Sequence, residues 1–599
     1  MRMIRRTTRI VSCSLHSLCV CFLFLNLTIA TEVHLWPQPK VVEWGDGPAI
    51  VLADNFSIYV PYKGVLKRAA KRYQKLLNRE RWVPIQSAPE NRWSQCAYEL
   101  ESLSISVTNT AAELQHGVDE SYTIMVKGCE TMKPTLPAAL LSAETVWGAL
   151  HGLETFSQIV RLRSRVTKSK RSIPHTVLIK DSPNFPHRGV MLDTSRNFYP
   201  VKSIMRTLQA MAYNKLNVFH WHITDSHSFP LELVSEPELA NQGAYGSKER
   251  YSASDVNRIL KFARDRGVRI IPEIDMPGHT GSWAEAYPEI VACHGEFWLA
   301  PSGQWEDRFA AEPGGVGQLN PLLPQTYKVV KNVIDEVAHL FPDGFFHGGG
   351  DEVNFGCWNN NTDIREFVNG GGSMNDLLER FLREAHSYTT TKKKTTIYWE
   401  DVILSSSINV SLSVLPREET ILQTWNRGAA NTKLLVSAGY RTIVSSSDFF
   451  YLDCGRGGWV GNDSRYDQQV DDDPNNRVNY GGDGGSWCAP FKTWARIYDY
   501  DITFNLTKEE AKLVLGGEVA LWSEQADDTV LDSLLWPRAA ALAESLWSGN
   551  KAPNGMKRGA EALDRLNDWR FRLLARGINA APLQPYWCLK HPGQCNVNA

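Results

Sequence analysis

The sequence predicts an α/β protein, a closed parallel (β/α)8 (TIM) barrel preceded by a smaller α+β domain. Three observations predict it. From Arg188 onward, eight short apolar runs alternate with helical patterns, the rhythm of consecutive β/α units closing into a barrel. Before Arg188 the pattern is irregular, mixing period-2 and helical segments, and Pro183-Asn-Phe-Pro186 punctuates the change. The 599 residues are 43% hydrophobic and 22% charged, enough apolar mass for large cores and too much for a disordered chain. Lys+Arg of 64 against Asp+Glu of 66 gives no broad basic footprint for nucleic acid.

The first element is a targeting segment. Arg2, Arg5, Arg6 and Arg9 form a basic region, Leu18–Leu25 an apolar core, and Thr28-Ile-Ala30 a small-residue cleavage signal. Residues 1–30 are therefore read as a signal peptide, with the mature chain starting near Thr31. Asn26 and Thr28 interrupt the apolar run and disfavour an uncleaved anchor, and no later stretch is long and apolar enough to span a bilayer. The expected destination is the secretory pathway: extracellular space, cell wall or vacuole, with association at the cell surface as a variant.

Cysteine use agrees. Three of the 11 Cys leave with the signal, and the remaining eight contain no CxxC pair, which favours disulfides over zinc. Eight Cys allow 105 pairings. Their sequential clustering in an exported chain predicts Cys96–Cys129, Cys293–Cys357, Cys454–Cys488 and Cys588–Cys595. Sequons at Asn55, Asn360, Asn409, Asn462 and Asn505 fit the same route.

The α+β domain spans 31–183. Ala97–Val107 and Tyr122–Val126 alternate like strands, and Val65–Asn78 and Thr145–Val160 read as helices. Nothing in it looks catalytic. The barrel and its tail span 184–599. Its strand candidates are Gly189–Asp193, Asn217–Ile223, Arg269–Ile274, Phe345–His347, Thr396–Trp399, Thr420–Thr424, Thr442–Ser446 and Glu518–Trp522. Helices are expected at Val201–Tyr213, Ala253–Arg266, Gln325–Leu340, Asn375–His386 and Gly559–Arg576, with a solvated turn over Thr389–Thr396.

Chemistry-bearing residues gather at the C-terminal ends of these strands, the rim where such barrels keep their sites. In order they are Asp193-Thr-Ser-Arg196, His220-Trp-His-Ile-Thr-Asp225, Pro272-Glu-Ile-Asp-Met-Pro-Gly-His279, His347-Gly-Gly-Gly-Asp-Glu352, Trp399-Glu-Asp401, Gln423-Thr-Trp425, Phe450-Tyr-Leu-Asp453 and Gly516–Glu524. Asp351-Glu352 is the strongest signal. Adjacent carboxylates should push one pKa up, as a general acid needs, and the glycines leave room for a ligand near the backbone. Any one cluster has an ordinary structural explanation, such as a helix cap or a core Trp; their recurrence on one rim does not. His220-Trp-His222 permits a metal reading completed by His279 and Asp351, but two hydrogen-bonded interior histidines are the simpler account. The 20 Trp and 20 Tyr supply flat rings of the kind that suit sugar faces.

His347-Gly-Gly-Gly-Asp-Glu352 resembles the HxGGDE signature of glycoside hydrolase family 20, the β-N-acetylhexosaminidases. Asp193–Arg196, Trp221–Asp225, Glu273–Thr280, Asp351–Trp358 and Trp536-Pro-Arg538 resemble that family in the same order, and within it the plant enzymes most. One departure is that Asp225 is followed by Ser226, where the family often has a second acid. The resemblance implies an exo-acting, retaining glycosidase whose nucleophile is the substrate's own 2-acetamido group. On that basis Glu352 is the acid/base and Asp351 holds the acetamido N–H. Tyr451 bonds its oxygen, and Asp225 and His279 form a relay to Glu352, with Asp275 beside it. Trp399, Trp425 and Trp522 wall the pocket, Arg196 binds the 3- and 4-hydroxyls, and Asp453 and Glu524 take the 4- and 6-hydroxyls. No metal or organic cofactor is implied. The partner is an oligosaccharide or N-glycan substrate, and a homodimer is compatible with the resemblance.

Overall fold

The computed structural model describes residues 33–45, 47–80, 96–129, 136–162, 170–460, 487–591 and 594–595. The signal segment and Asn462 lie outside them. Residues from His34 on form one compact unit, and among the described residues no helix is long and apolar enough to cross a membrane.

The N-terminal layer is an eight-stranded mixed sheet. Helix Val146–Ile159 has no exposed residue, because it packs on this sheet with one side and is covered on the other. Thr145 starts it by accepting the N–H groups of Trp147 and Gly148 at 3.1 and 3.3 Å. The sequence reading found two of these strands and missed the others, among them Ala138–Thr145. That strand turns Leu140 outward, 42% exposed, and fills other positions with Ala and Ser, so its alternation is faint.

The last sheet strand ends at Asp181 and the barrel begins at His187. Its strands are β1 (His187–Asp193), β2 (Val218–Thr224), β3 (Arg269–Ile274), β4 (Phe345–His347), β5 (Thr395–Trp399), β6 (Thr420–Thr424), β7 (Arg441–Val444) and β8 (Val514–Leu521). All neighbours are parallel, and β8 closes on β1 with Glu518 beside Gly189. The eight strands are those read from the sequence. The eighth starts four residues early, because Gly516 (φ 150°) sits where a Cβ would meet the His187 carbonyl at 1.8 Å, and this glycine pair breaks the apolar run. The expected turn over Thr389–Thr396 is shorter: the helix runs Met374–Thr391, and buried Thr389 bonds buried Thr396.

Buried ion pairs join the two layers under the barrel. Glu120 takes Arg188 at 2.7 Å and His151 at 2.8 Å, and Asp181 takes Lys215 at 2.9 Å. These lie at the N-terminal ends of the strands, so the α+β layer braces the barrel from the side opposite the rim.

Candidate active site

Inward positions alternate along each strand. The floor of the barrel is Val218, Ile271, Phe345, Ile397, Ile421, Ile443 and Leu515, all apolar. Two residues further along lie His220, Glu273, His347, Trp399 and Gln423, and beyond them the rim residues. The sequence therefore writes an apolar layer, a polar layer and a rim in steps of two.

At the end of β1, Asp193 accepts the N–H groups of Ser195 and Arg196 at 2.8 and 3.2 Å, which folds the turn carrying Arg196. Arg196 Nη1 lies 2.6 Å from Asp225 Oδ2, and its Nη2 lies 2.8 Å from Glu312 Oε1. Its guanidinium carbon sits 4.9 Å from the Trp522 ring centre. Asp225 Oδ1 lies 3.1 Å from His279 Nδ1, and His279 Nε2 lies 3.3 Å from Glu352 Oε2 and 3.7 Å from Asp351 Oδ2. The structure thus brings together Asp225, His279, Asp351 and Glu352 as one row. His279 and Glu352 both hold positive φ, 54° and 49°, strain that non-glycine residues keep where surrounding structure imposes it.

Electrostatics follow from the row. Burial works against the charge on Asp225, but Arg196 and His279 overcome it and hold the carboxyl well below its usual range. Burial also disfavours charge on His279, yet Asp225, Asp351 and Asp275 push it well above the ordinary histidine value. Asp351 is raised by burial and then by Asp275, which is itself pushed up to about 6 mainly by burial. The pressure expected between Asp351 and Glu352 falls instead between Asp351 and Asp275, the principal charged neighbour of Asp351. The glycines serve this pair rather than a ligand. Gly350 N–H donates to Asp275 Oδ1 at 2.9 Å, and a Cβ on Gly349 (φ 64°) would lie 1.7 Å from that oxygen.

Above the row is a cavity of about 580 Å³, lined by Arg196, Asp351, Glu352, Trp425, Tyr451, Asp453, Trp522 and Glu524 among others. Tyr451 is raised by burial and stays an O–H donor. Burial pushes Asp453 up to about 6, and burial with Glu312 raises Glu524. One residue differs from expectation. Trp399 has no exposed surface and lies behind Trp522, ring centres 6.1 Å apart, rather than facing the cavity. Asp225 lies beneath the cavity and connects to Glu352 through His279, the arrangement expected of a relay.

The metal reading of His220 and His222 gives way to hydrogen bonding. His220 Nδ1 lies 2.7 Å from Glu518 and its Nε2 2.8 Å from Glu273; His222 lies 2.7 Å from Glu273 and 2.9 Å from Asp225. Against burial, the carboxylates raise the pKa values of the two rings to about 9 and about 10, and a ring protonated on both nitrogens offers no lone pair to a cation.

Sequence reasoning missed Glu312 and the mouth aromatics Trp298, Trp305, Trp459 and Trp487, all on long loops. It also gave Arg538 no role. Its Nη2 donates to Leu452 O at 2.7 Å, bracing the segment that carries Tyr451 and Asp453. Cys454–Cys488 braces the same segment, and the four expected disulfides are all formed. Asn55, Asn360 and Asn505 are exposed and Asn409 is half-buried.

Residues 185–550 match the family model described as glycosyl hydrolase family 20, catalytic domain, and residues 35–159 match one described as beta-acetyl hexosaminidase like. The chain is 41% identical over 592 residues to a protein named beta-hexosaminidase 1 from Coccidioides posadasii, covering 96% of this chain and 97% of that one. It is 32% identical over 602 residues to beta-hexosaminidase 1 of Arabidopsis thaliana, covering 96% and 98%. Whole-chain identity is thus higher to this fungal protein than to the plant one. The X-ray structure of a Flavobacterium johnsoniae chitobiase superposes with a TM-score of 0.68 at 28% identity, over 91% of this chain and 73% of that one. Barrel, rim residues and full-length relatives agree, and the chain belongs to glycoside hydrolase family 20.

Proposed function

We propose that the protein is an exo-acting β-N-acetylhexosaminidase that removes terminal, non-reducing β-linked GlcNAc or GalNAc from glycans or chito-oligosaccharides. The observation that carries this reading is the Asp225–His279 row ending on two carboxylates at the base of an aromatic-walled cavity. Glu352 has a side chain 28% exposed and Asp351 one 9% exposed. The more accessible carboxyl protonates the leaving oxygen and later deprotonates water. The buried one holds the acetamido N–H and, once ionised, faces the positive charge of the oxazolinium. Tyr451 donates to the acetamido oxygen and aims it at the anomeric carbon, and Trp425 and Trp522 enclose the group. Arg196, Asp453 and Glu524 hold sugar hydroxyls. Because the nucleophile arrives with the substrate, it is positioned at high effective concentration, and configuration is retained.

An aryl N-acetyl-β-glucosaminide should be hydrolysed readily, the matching β-glucoside hardly at all, and a cyclic thiazoline should bind more tightly than substrate. Mass-spectrometric detection of a 2-fluoroglycosyl ester on Asp351 would replace this mechanism with a carboxylate-nucleophile one. Loss of activity to chelator would point instead to metal-dependent deacetylation. The basic-apolar-small N-terminus, four disulfides and exposed sequons support export, with cleavage near Thr31; N-terminal sequencing of the natural protein tests it.

A further inference from the structure

Glu273 is a fully buried carboxylate that no step above uses. It stands on β3 between the floor residue Ile271 and the rim residue Asp275. Its Oε2 accepts His222 Nδ1 at 2.7 Å and lies 2.8 Å from His220 Nε2; its Oε1 accepts Trp399 Nε1 at 2.7 Å. Two of these partners lead to the site. His222 turns its other nitrogen on Asp225 Oδ2 at 2.9 Å, and Asp225 continues through His279 to Glu352. Trp399 lies directly behind the cavity wall Trp522.

A buried charge needs a reason, because a well-packed apolar residue at such a position is commonly no worse for stability. The layer immediately below shows that this barrel can fill its interior with aliphatic and aromatic side chains alone. We propose that Glu273 is a positioning residue for the hydrolysis, fixing His222 as the two-donor partner of Asp225 and Trp399 behind Trp522. One carboxylate then sets both the charge of the relay and the shape of the sugar pocket. The inference rests on the reading of Glu352 as acid and Asp225–His279 as its relay.

The charged surroundings are consistent. Around Glu273 stand His220 and His222 from β2, His347 from β4, Trp399 from β5 and Asp275 just past the end of its own strand, with Glu518 of β8 beyond His220. His347 Nδ1 accepts the Gly349 N–H at 3.1 Å, so that ring is neutral and donates nothing to Glu273 through this atom. Around His222 stand Asp225, Glu273, Asp275, the Arg196 guanidinium at 3.4 Å and the edge-on Trp522 ring. Burial disfavours charge on His222, but Glu273 and then Asp225 raise it to about 10, so the ring is a cation at neutral pH.

The test is the pH dependence of kcat and KM for the wild type, Glu273→Gln, His222→Gln, the Glu273→Gln/His222→Gln double variant and Glu352→Gln. The amide oxygen that Glu273→Gln introduces can still accept the Trp399 N–H, so the substitution removes the charge with little change of volume. His222 then loses an anionic neighbour and deprotonates at lower pH. The alkaline limb of kcat should move to lower pH in Glu273→Gln, with kcat down about tenfold or more and KM changed much less. His222→Gln should lower kcat similarly, and the double variant should be little worse than either single one, as expected for members of one chain. A wild-type alkaline limb and wild-type kcat in Glu273→Gln overturn the proposal. If that variant does not fold, wild-type behaviour of His222→Gln overturns it equally. Failure of the underlying reading looks different: Glu352→Gln would then keep near-normal turnover on a substrate with a poor leaving group.

Discussion

Two layers of the barrel interior lie one inward position apart and could hardly differ more. The floor joins seven apolar side chains from β2 to β8. The layer above it is ionic: Glu518 takes His187 and His220, and Glu273 takes His220 and His222, all within 3.0 Å and all buried. The floor contributes by area removed from water and by close packing, which are non-directional. The upper layer contributes little by burial, and each of its charges is tolerable only because a partner of opposite sign is fixed beside it. What it supplies is direction. The bonds from Glu518 and Glu273 to the histidines and to Trp399 fix the orientation of rings, and the last rings orient the rim. Backbone alternation makes the change of character possible within one strand, so Val218, His220 and His222 differ in role while sharing a face.

The contrast is broken most severely at the rim end. Glu352→Gln should lower kcat by about two to four orders of magnitude, the usual value of a positioned acid/base, while leaving substrate binding largely intact; steady-state kinetics with a poor leaving group measures it. Asp351→Asn should weaken a thiazoline mimic by at least about tenfold, since it removes the negative charge that faces the developing cation; competitive inhibition constants decide this.

In the floor the prediction has the opposite character. Ile421→Ala should cost about 2–5 kcal/mol of stability through lost burial and a cavity, yet leave the pH profile of kcat unchanged in the fraction that folds. A shifted profile in that variant would show that the two layers are not separable. The smallest expected effect sharpens the ionic layer. His220 and His222 are raised by their carboxylate partners, against burial, to about 9 and about 10 from an unfolded value near 6.5. The folded state therefore binds more protons than the unfolded one above pH 6.5. Their stabilisation is complete below that pH, declines as pH rises, and is gone once the folded pKa values are passed. Thermal melts should fall between about pH 7 and 10, and His220→Gln should flatten that slope; equal slopes would sink the assignment.

Legibility in the sequence follows the same division. All eight barrel strands were readable because parallel strands covered on both faces carry short apolar runs, as Val190-Met-Leu192 does in β1. Asp351, Glu352, His279 and Asp225 were readable because a barrel puts strand ends on one rim, and the family resemblance gave them roles. Glu312 and the mouth aromatics were not readable, because long loops carry no periodicity and their return to the rim is a tertiary event. Glu273 was visible as a letter in a motif, but a carboxylate one position below the rim has no distinguishing signal until its neighbours on β2 and β5 are known.

The sequence by itself determined the strand and helix order, the inward step-of-two pattern and the cluster of acids at strand ends, because each depends only on residues close in the chain. It also suggested the disulfide pairing, through the order of the cysteines. Only the tertiary structure decided that Gly349 makes room for Asp275, that Trp399 stands behind Trp522, and that Glu273 joins relay and pocket wall. The Glu273 contacts alone link residues 51 and 126 positions apart. Their geometry is set by the closure of the barrel, a constraint that acts on all eight strands at once and leaves no mark on any one of them.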